Sequence, residues 1–147
     1  MSPYWGPWVQ RWLFFNASVM AYLRPLYQVL QGTIILNALF RMLGAKIGKR
    51  VFLLNKRGFT EPDLVHIEDD ATCVNEFQTH TFEDMVNKRD LTYIRKGATV
   101  EEEACMLYGA DVGEGTRVGK HSVIMKHEKL LPARCYSGAP ATLSDGC

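Results

Sequence analysis

From Ile94 to Tyr136 the chain carries a large hydrophobe at every sixth residue: Ile94, Val100, Met106, Val112, Val118, Ile124, Leu130 and Tyr136. Neither the 3.6-residue period of a helix nor the two-residue alternation of an ordinary strand produces that spacing. Four positions after most of these residues stands a small one, Ala98, Ala104, Ala110, Thr116 or Ser122, and glycines at 97, 109, 113, 115 and 119 fall between them. The pattern predicts one short strand and one tight turn per hexad, with the first residue turned inward and the small one letting the backbone bend. A single hexad cannot bury its apolar side, so consecutive turns must stack, and the six-spaced residues become an interior ladder. The register also runs upstream, less cleanly. Ile67, Cys73 and Thr79 keep it with Ala71 as the small residue, and Ile47 and Leu53 keep it with Val51. Ile47 to Ile67 is 20 residues and Ile67 to Ile94 is 27, so the phase slips twice. Such slips predict extruded loops, one of them near residues 80–92.

With the stretches GAKIGKRV, TEPDLVHI, NEFQTHTFED, IRKGATV and VIMKHEKLLPARCYSGAPA, this repeat resembles the hexapeptide-repeat acyltransferases. More narrowly, it resembles the C-terminal repeat domains of polylysine-synthetase-like nonribosomal peptide synthetases. The resemblance covers roughly residues 30 to 141. It implies a mainly β fold: a left-handed parallel β-helix of hexapeptide repeats, a single-stranded solenoid, preceded by a helical segment. Handedness comes from the resemblance alone, because the general rule for parallel crossovers is right-handed. A stack of about four or five coils has a thin core and two open ends, which favours oligomerisation. The resemblance implies a homotrimer with sites between subunits. The expected organisation is a helical segment at 1–43, the repeat at 44–141 and a tail at 142–147. Many relatives close the last coil with a helix, whereas here TLSDGC follows Ala141, which leaves room for a detached piece of a longer protein.

The net charge of +1 hides an asymmetry. Residues 1–60 hold eight basic residues (Arg11, Arg24, Arg41, Lys46, Lys49, Arg50, Lys56, Arg57) and no acid, while all sixteen acids lie from Glu61 onward and leave that part near −7. The basic part is also aromatic, with Trp5, Trp8, Trp12, Phe14, Phe15, Tyr22, Tyr27 and Phe40 in a segment that reads as helical with breaks at Pro25 and Gly32. Two readings stand: a helix capping the open end of the stack, or an interfacial helix on an anionic membrane surface. No transmembrane span is expected, because the longest uncharged run, Pro25 to Phe40, is 16 residues and includes Gln28, Gln31 and Gly32. No cleavage site of a secretion signal follows it. Without a recognised module, the basic stretch does not point to nucleic acid. Cys73, Cys105, Cys135 and Cys147 form no CxxC, which argues against structural zinc and suits a reducing, cytoplasmic compartment, with or without peripheral attachment to a membrane. The sequon Asn16-Ala17-Ser18 carries no weight without a secretion signal.

Chemistry concentrates where the repeat breaks, in NEFQTHTFED from Asn75 to Asp84. Acyl transfer from a thioester needs a base that takes a proton from the attacking amine or hydroxyl, and a histidine titrating near neutrality suits that task. In the resembled enzymes one histidine on an extruded loop at the subunit interface takes the role, and His80 is the matching position. A carboxylate would orient it; Glu83 and Asp84 are the candidates, with Asn75 and Gln78 as polar neighbours. The competing reading is that this stretch only ties down a loop. His121 and His127 each fall three residues after an inward position and so face a turn. They are six apart, whereas the zinc-binding carbonic anhydrases of this fold place two histidines five apart, so no metal is expected. His66 reads as a surface residue, and Glu101, Glu102 and Glu103 as a solvated face.

The resemblance places the donor's pantetheine arm along the later coils, implicating Gly109–Ser122, with Gly119, Lys120 and Lys126 as cofactor-binding candidates. GADVGEGTRVG is otherwise explained by repeat turns and is no nucleotide loop. Two functions stay open. One is an acyl- or aminoacyltransferase taking acyl groups from coenzyme A or from a phosphopantetheine-linked carrier protein to a small-molecule or peptide amine or hydroxyl. The other is a non-catalytic trimerisation and anchoring module of a nonribosomal peptide synthetase-like protein.

Overall fold

The computed structural model describes residues 2–54, 59–144 and 146, apart from the side chains of Ser2, Val19, Met20 and Arg24. Lys56, Arg57 and Cys147 of the sequence reading lie outside the described residues. From Lys46 onward the chain visits three sheets in rotation. The first holds Lys46–Ile47, Val65–Ile67, Thr92–Ile94, Asp111–Val112 and Lys129–Leu130. The second holds Phe52–Leu53, Thr72–Cys73, Thr99–Val100, Arg117–Val118 and Cys135–Ser137, with Thr142–Leu143 closing it antiparallel. Glu76–Gln78, Cys105–Leu107 and Val123–Ile124 make the third.

Within each sheet the repeat strands pair in parallel, and downstream of Ile94 partners stand eighteen residues apart: Ile94 against Val112, Val112 against Leu130, Val100 against Val118, Met106 against Ile124. Three hexads therefore make one coil, and the six-spaced side chains meet in register. Val100, Met106, Val112, Val118 and Ile124 are each 0% exposed, with Ala98, Ala104 and Ala110 beside them. Three residues after each inward position the backbone turns left-handed, at Gly97, Glu103, Gly109, Gly115, His121, His127 and Ala133. Non-glycine residues are uncommon there, so His121 and His127 stand where they do because of the turn. Gly113 has a different reason: a Cβ there would stand 2.6 Å from the Leu130 carbonyl of the next coil.

The two slips have distinct structures. Ile47 faces Ile67 across a step of 20 residues, and Ile67 faces Ile94 across 27. In the second case the extra chain forms a hairpin, His80–Glu83 against Val86–Arg89, turning through Asp84 and Met85, both with positive φ. That is the backbone of a two-residue hairpin turn. One inward assignment changes here. Phe77, not Thr79, stands opposite Met106, so the inward residue follows Cys73 by four positions. Thr79 is buried for another reason, described below.

The N-terminal segment folds as α1 (Pro7–Leu30) and α2 (Ile34–Met42). The break expected at Pro25 is absent, while Gly32 at φ 71° does separate the helices. Proline removes one helical hydrogen bond, but the turns beyond it are held by burial of Tyr27 against Phe40, ring centroids 5.0 Å apart. Thr33 caps α2 by accepting from the Leu36 amide. Leu36, Asn37 and Phe40 of α2 are buried over the first coil, and the Asn37 amide donates to the Val51 carbonyl at 2.7 Å. Arg41 donates to the carbonyls of Ile47 and Gly48. The outer helical faces remain exposed, with Phe14, Tyr22, Val29, Ile34 and Met42 each more than three-quarters accessible. No helix of the described residues is long and apolar enough to cross a membrane.

Candidate active site

The hairpin carries His80, and the N-terminus walls it in. Ser2–Pro3 adds a third antiparallel strand through Asn87 and Val86, and the Tyr4 amide donates to Met85 O at 2.7 Å. That docking brings the first turns of α1 against the hairpin. The Trp12 ring meets His80 edge-on, centroids 4.9 Å apart, and Phe82 meets it at 5.7 Å. The imidazole is thereby held between aromatic rings, with its side chain 21% exposed.

The carboxylate that holds His80 is Glu61. Its Oε2 lies 3.1 Å from His80 Nδ1 and accepts the Thr79 hydroxyl at 2.6 Å. Its side chain is 2% exposed, so the charge sits away from water, where it needs such partners. An ionised carboxylate only accepts hydrogen bonds. Nδ1 must then carry the hydrogen, and in the neutral ring the lone pair is left on Nε2, the tautomer a general base uses. Arg89 adds positive charge, Nη1 standing 3.7 Å from Glu61 Oε1, with its guanidinium over the Trp8 ring at 4.0 Å.

The predicted orienting residues turn elsewhere. Glu83 pairs with Lys88 at 3.0 Å and with Lys126, and Asp84 is exposed near Lys88. Adjacent hairpin positions alternate faces, which sends Glu83 to the face away from the imidazole. Asn75 is buried and donates to the Glu76 carbonyl at 3.1 Å, without reaching His80, and Gln78 is exposed. Lys126, read as a donor contact, is engaged by Glu83 and lies 5.6 Å from the Tyr108 ring centroid. Lys120 is exposed, and Gly119 is half-buried beside Ser137. His121 and His127 take separate carboxylates, Glu103 at 3.0 Å and Asp90 at 3.5 Å. Among the described residues no group of three His, Cys, Asp or Glu side chains is gathered around a metal position. His66 lies on the outer face of the first sheet against Tyr93, and burial with Lys46 and Arg95 nearby lowers its pKa. Cys73 is fully buried and free, and burial pushes its thiol up.

Sequence reasoning missed Glu61, Trp12 and Arg89. One signal was present: Glu61 is the first acid after sixty residues with none. Nothing in the spacing ties it to His80, nineteen positions away.

This architecture is the fold of the hexapeptide-repeat acetyltransferases. A hexapeptide-repeat-containing acetyltransferase from Vibrio cholerae superposes with a TM-score of 0.62 at 13% identity, covering 88% of this chain and 90% of that one. The same enzyme complexed with acetyl coenzyme A gives 0.62 at 14% identity over 86% of each chain. A maltose O-acetyltransferase from Clostridium difficile 630 gives 0.57 at 14% identity over 88% and 87%. The chain matches no family model. In sequence it is similar to Delta-poly-L-ornithine synthetase of Acinetobacter baumannii (strain AB307-0294), 34% identical over 115 residues. The match takes in 76% of this chain and 8% of that synthetase's length. The sequence resemblance is thus borne out at both levels, by fold for the acetyltransferases and by residue identity for a poly(amino acid) synthetase.

Proposed function

We propose that the chain is an acyl- or aminoacyltransferase in which His80 is the general base. The carrying observation is the His80 Nδ1 to Glu61 Oε2 contact at 3.1 Å with a carboxylate that is 2% exposed. Nε2 removes the proton from the acceptor amine or hydroxyl as it attacks the acyl carbonyl. The donor thioester supplies the acyl group and a thiol leaving group. The new amide or ester bond forms as the carbon–sulfur bond breaks, and the proton passes from Nε2 to the departing thiolate. Glu61 stabilises the imidazolium in between, and Trp12 and Phe82 keep the ring from rotating. The fold likeness and the acetyl coenzyme A complex of the Vibrio cholerae enzyme support coenzyme A as donor. Similarity to the synthetase supports an aminoacyl group on a phosphopantetheine carrier.

The stack is read here as a left-handed parallel β-helix working as a homotrimer, the donor lying along the groove beside Gly119 and Lys120. Lys126 joins that groove only after releasing Glu83. The acid-free first sixty residues and the exposed Phe14, Phe15, Tyr22 and Ile34 support attachment to an anionic membrane surface. Co-sedimentation with anionic liposomes that is lost at high salt supports this attachment; no binding at low salt leaves the helices as a cap alone.

A thiol-release assay on the purified chain tests transfer. Acetyl coenzyme A and aminoacyl carrier-protein thioesters are offered with and without amines and alcohols, with His80→Ala in parallel. Release that needs both His80 and an acceptor supports the proposal. No release from any donor by a protein of confirmed trimeric mass favours the second reading, a trimerisation and anchoring module. That reading draws on the chain's matching only 8% of the synthetase.

A further inference from the structure

Two buried polar atoms near α1 make no hydrogen bond among the described residues. Glu61 gives Oε2 to Thr79 and His80, yet its Oε1 accepts no hydrogen bond among the described residues. Tyr27 is 1% exposed, and its hydroxyl is likewise unpaired among them. Both residues line one cavity of about 240 Å³ between α1 and the Thr60–Asp63 segment, where Trp8, Trp12 and Phe15 form an aromatic wall. A buried polar atom that makes no hydrogen bond is costly to keep. Two such atoms on residues that line one cavity favour a ligand that donates hydrogen bonds.

Charge narrows the ligand. The lining carries Glu61 and Asp63 against Arg89, one negative charge in excess. Arg89 leaves Oε1 available, since its Nη1 is 3.7 Å away and its guanidinium is stacked over Trp8. A carboxylate accepts only, so the ligand must bring the donors. A primary ammonium brings three, with a compact positive charge that aromatic faces attract. At about 30 Å³ per water the cavity holds roughly eight water-sized groups, the scale of a short aliphatic amine.

The geometry points to a binding site for a small primary amine, its ammonium on Glu61 Oε1 and the Tyr27 hydroxyl, its aliphatic part against Trp12 and Phe15. If His80 performs transfer, a premise this step takes from the proposed function, the cavity is where an acceptor is recognised. A fully hydrogen-bonded ammonium is not a nucleophile, so the bound amine anchors the acceptor and a second group of the same molecule reacts. Diamines and amino alcohols are the chemical class that fits.

Titration calorimetry and tryptophan fluorescence of the full chain near pH 7 test the site, with n-butylamine, 1,4-diaminobutane and n-butanol as probes. Saturable binding of both amines with a fluorescence change is expected, about tenfold or more weaker for n-butanol and about tenfold weaker in Glu61→Gln and in Tyr27→Phe. Tyr27→Phe preserves shape and answers the question if Glu61→Gln does not fold. Equal binding of n-butanol would make the cavity merely apolar and overturn the site. So would unchanged amine affinity in Tyr27→Phe, or no saturable binding of either amine. These titrations need no turnover: amine binding without thiol release would sink the transfer reading and leave the site standing, and release without amine binding would do the reverse.

Discussion

Downstream of Ile94 the coil repeats without interruption, and the polar groups placed inside it are answered by the next turn. The Thr116 hydroxyl donates to the Leu131 carbonyl at 2.7 Å, and the Ser122 hydroxyl accepts from the Gly138 amide at 3.2 Å. Between Glu61 and Arg89 the same architecture is broken, and there Glu61 Oε1, Asn75 Oδ1 and both amide atoms of Asn87 are buried without a hydrogen bond among the described residues. A strict repeat gives each residue the same neighbours one coil away, so one solution to polar burial serves every coil. An interruption has no such copy. It has to be held from outside, here by the N-terminal strand and α1, and it is where a buried carboxylate and a histidine meet.

That contrast can be broken from either side. The largest effect belongs to the interruption: His80→Ala is expected to lower thiol release by roughly 10²–10⁴-fold, the range of general-base catalysis, while the thermal midpoint stays near wild type. Retained release with intact folding would remove His80 from the chemistry. In the regular stack the pattern inverts. Ile124→Ala empties a fully buried rung and should cost about 2–5 kcal/mol in denaturant unfolding, with the rate per folded molecule unchanged. A loss of rate at full stability there would make the stack more than scaffold. Glu61→Gln keeps the shape and removes the charge, weakening the hold on the imidazolium by roughly 1.5–3 kcal/mol, about ten- to a hundredfold in rate. An unchanged rate would leave Glu61 with a role in folding only.

The smallest effect concerns His66 on the outer face of the stack. Burial, with Lys46 and Arg95 adding to it, lowers its folded pKa, so the unfolded chain takes up a proton first as pH falls. Stability is then full above the unfolded value near 6.5 and declines as pH drops through the lower folded value. His66→Gln should flatten that part of the stability–pH curve, as read by urea midpoints between about pH 7 and pH 5. An unaltered slope would assign the decline to other groups.

What the sequence revealed follows the same divide. The six-residue spacing from Ile94 to Tyr136 specified the strands, their inward residues and the turn positions of His121 and His127, because in a periodic structure local sequence and tertiary neighbours carry the same information. Upstream, extending that period makes Thr79 an inward residue. The turn after Cys73 is two residues shorter, Phe77 takes the rung, and Thr79 bonds Glu61 instead. His80 was legible through its place in the broken stretch. Its carboxylate was not, because Glu83 and Asp84 are near in sequence but face away, whereas Glu61 arrives from the previous coil. Pro25 misled in the opposite direction, its local preference overridden by the packing of Tyr27 on Phe40.

The central claim is that the interruption holds His80 with Nδ1–H on Glu61 and Nε2 bare. Long-range ¹H–¹⁵N correlation spectra of the ring nitrogens, recorded with the imidazole neutral, measure this directly. The account predicts a protonated Nδ1 and an unprotonated Nε2 in the wild type, with that preference lost in Glu61→Gln. A proton on Nε2 with a bare Nδ1 would contradict it.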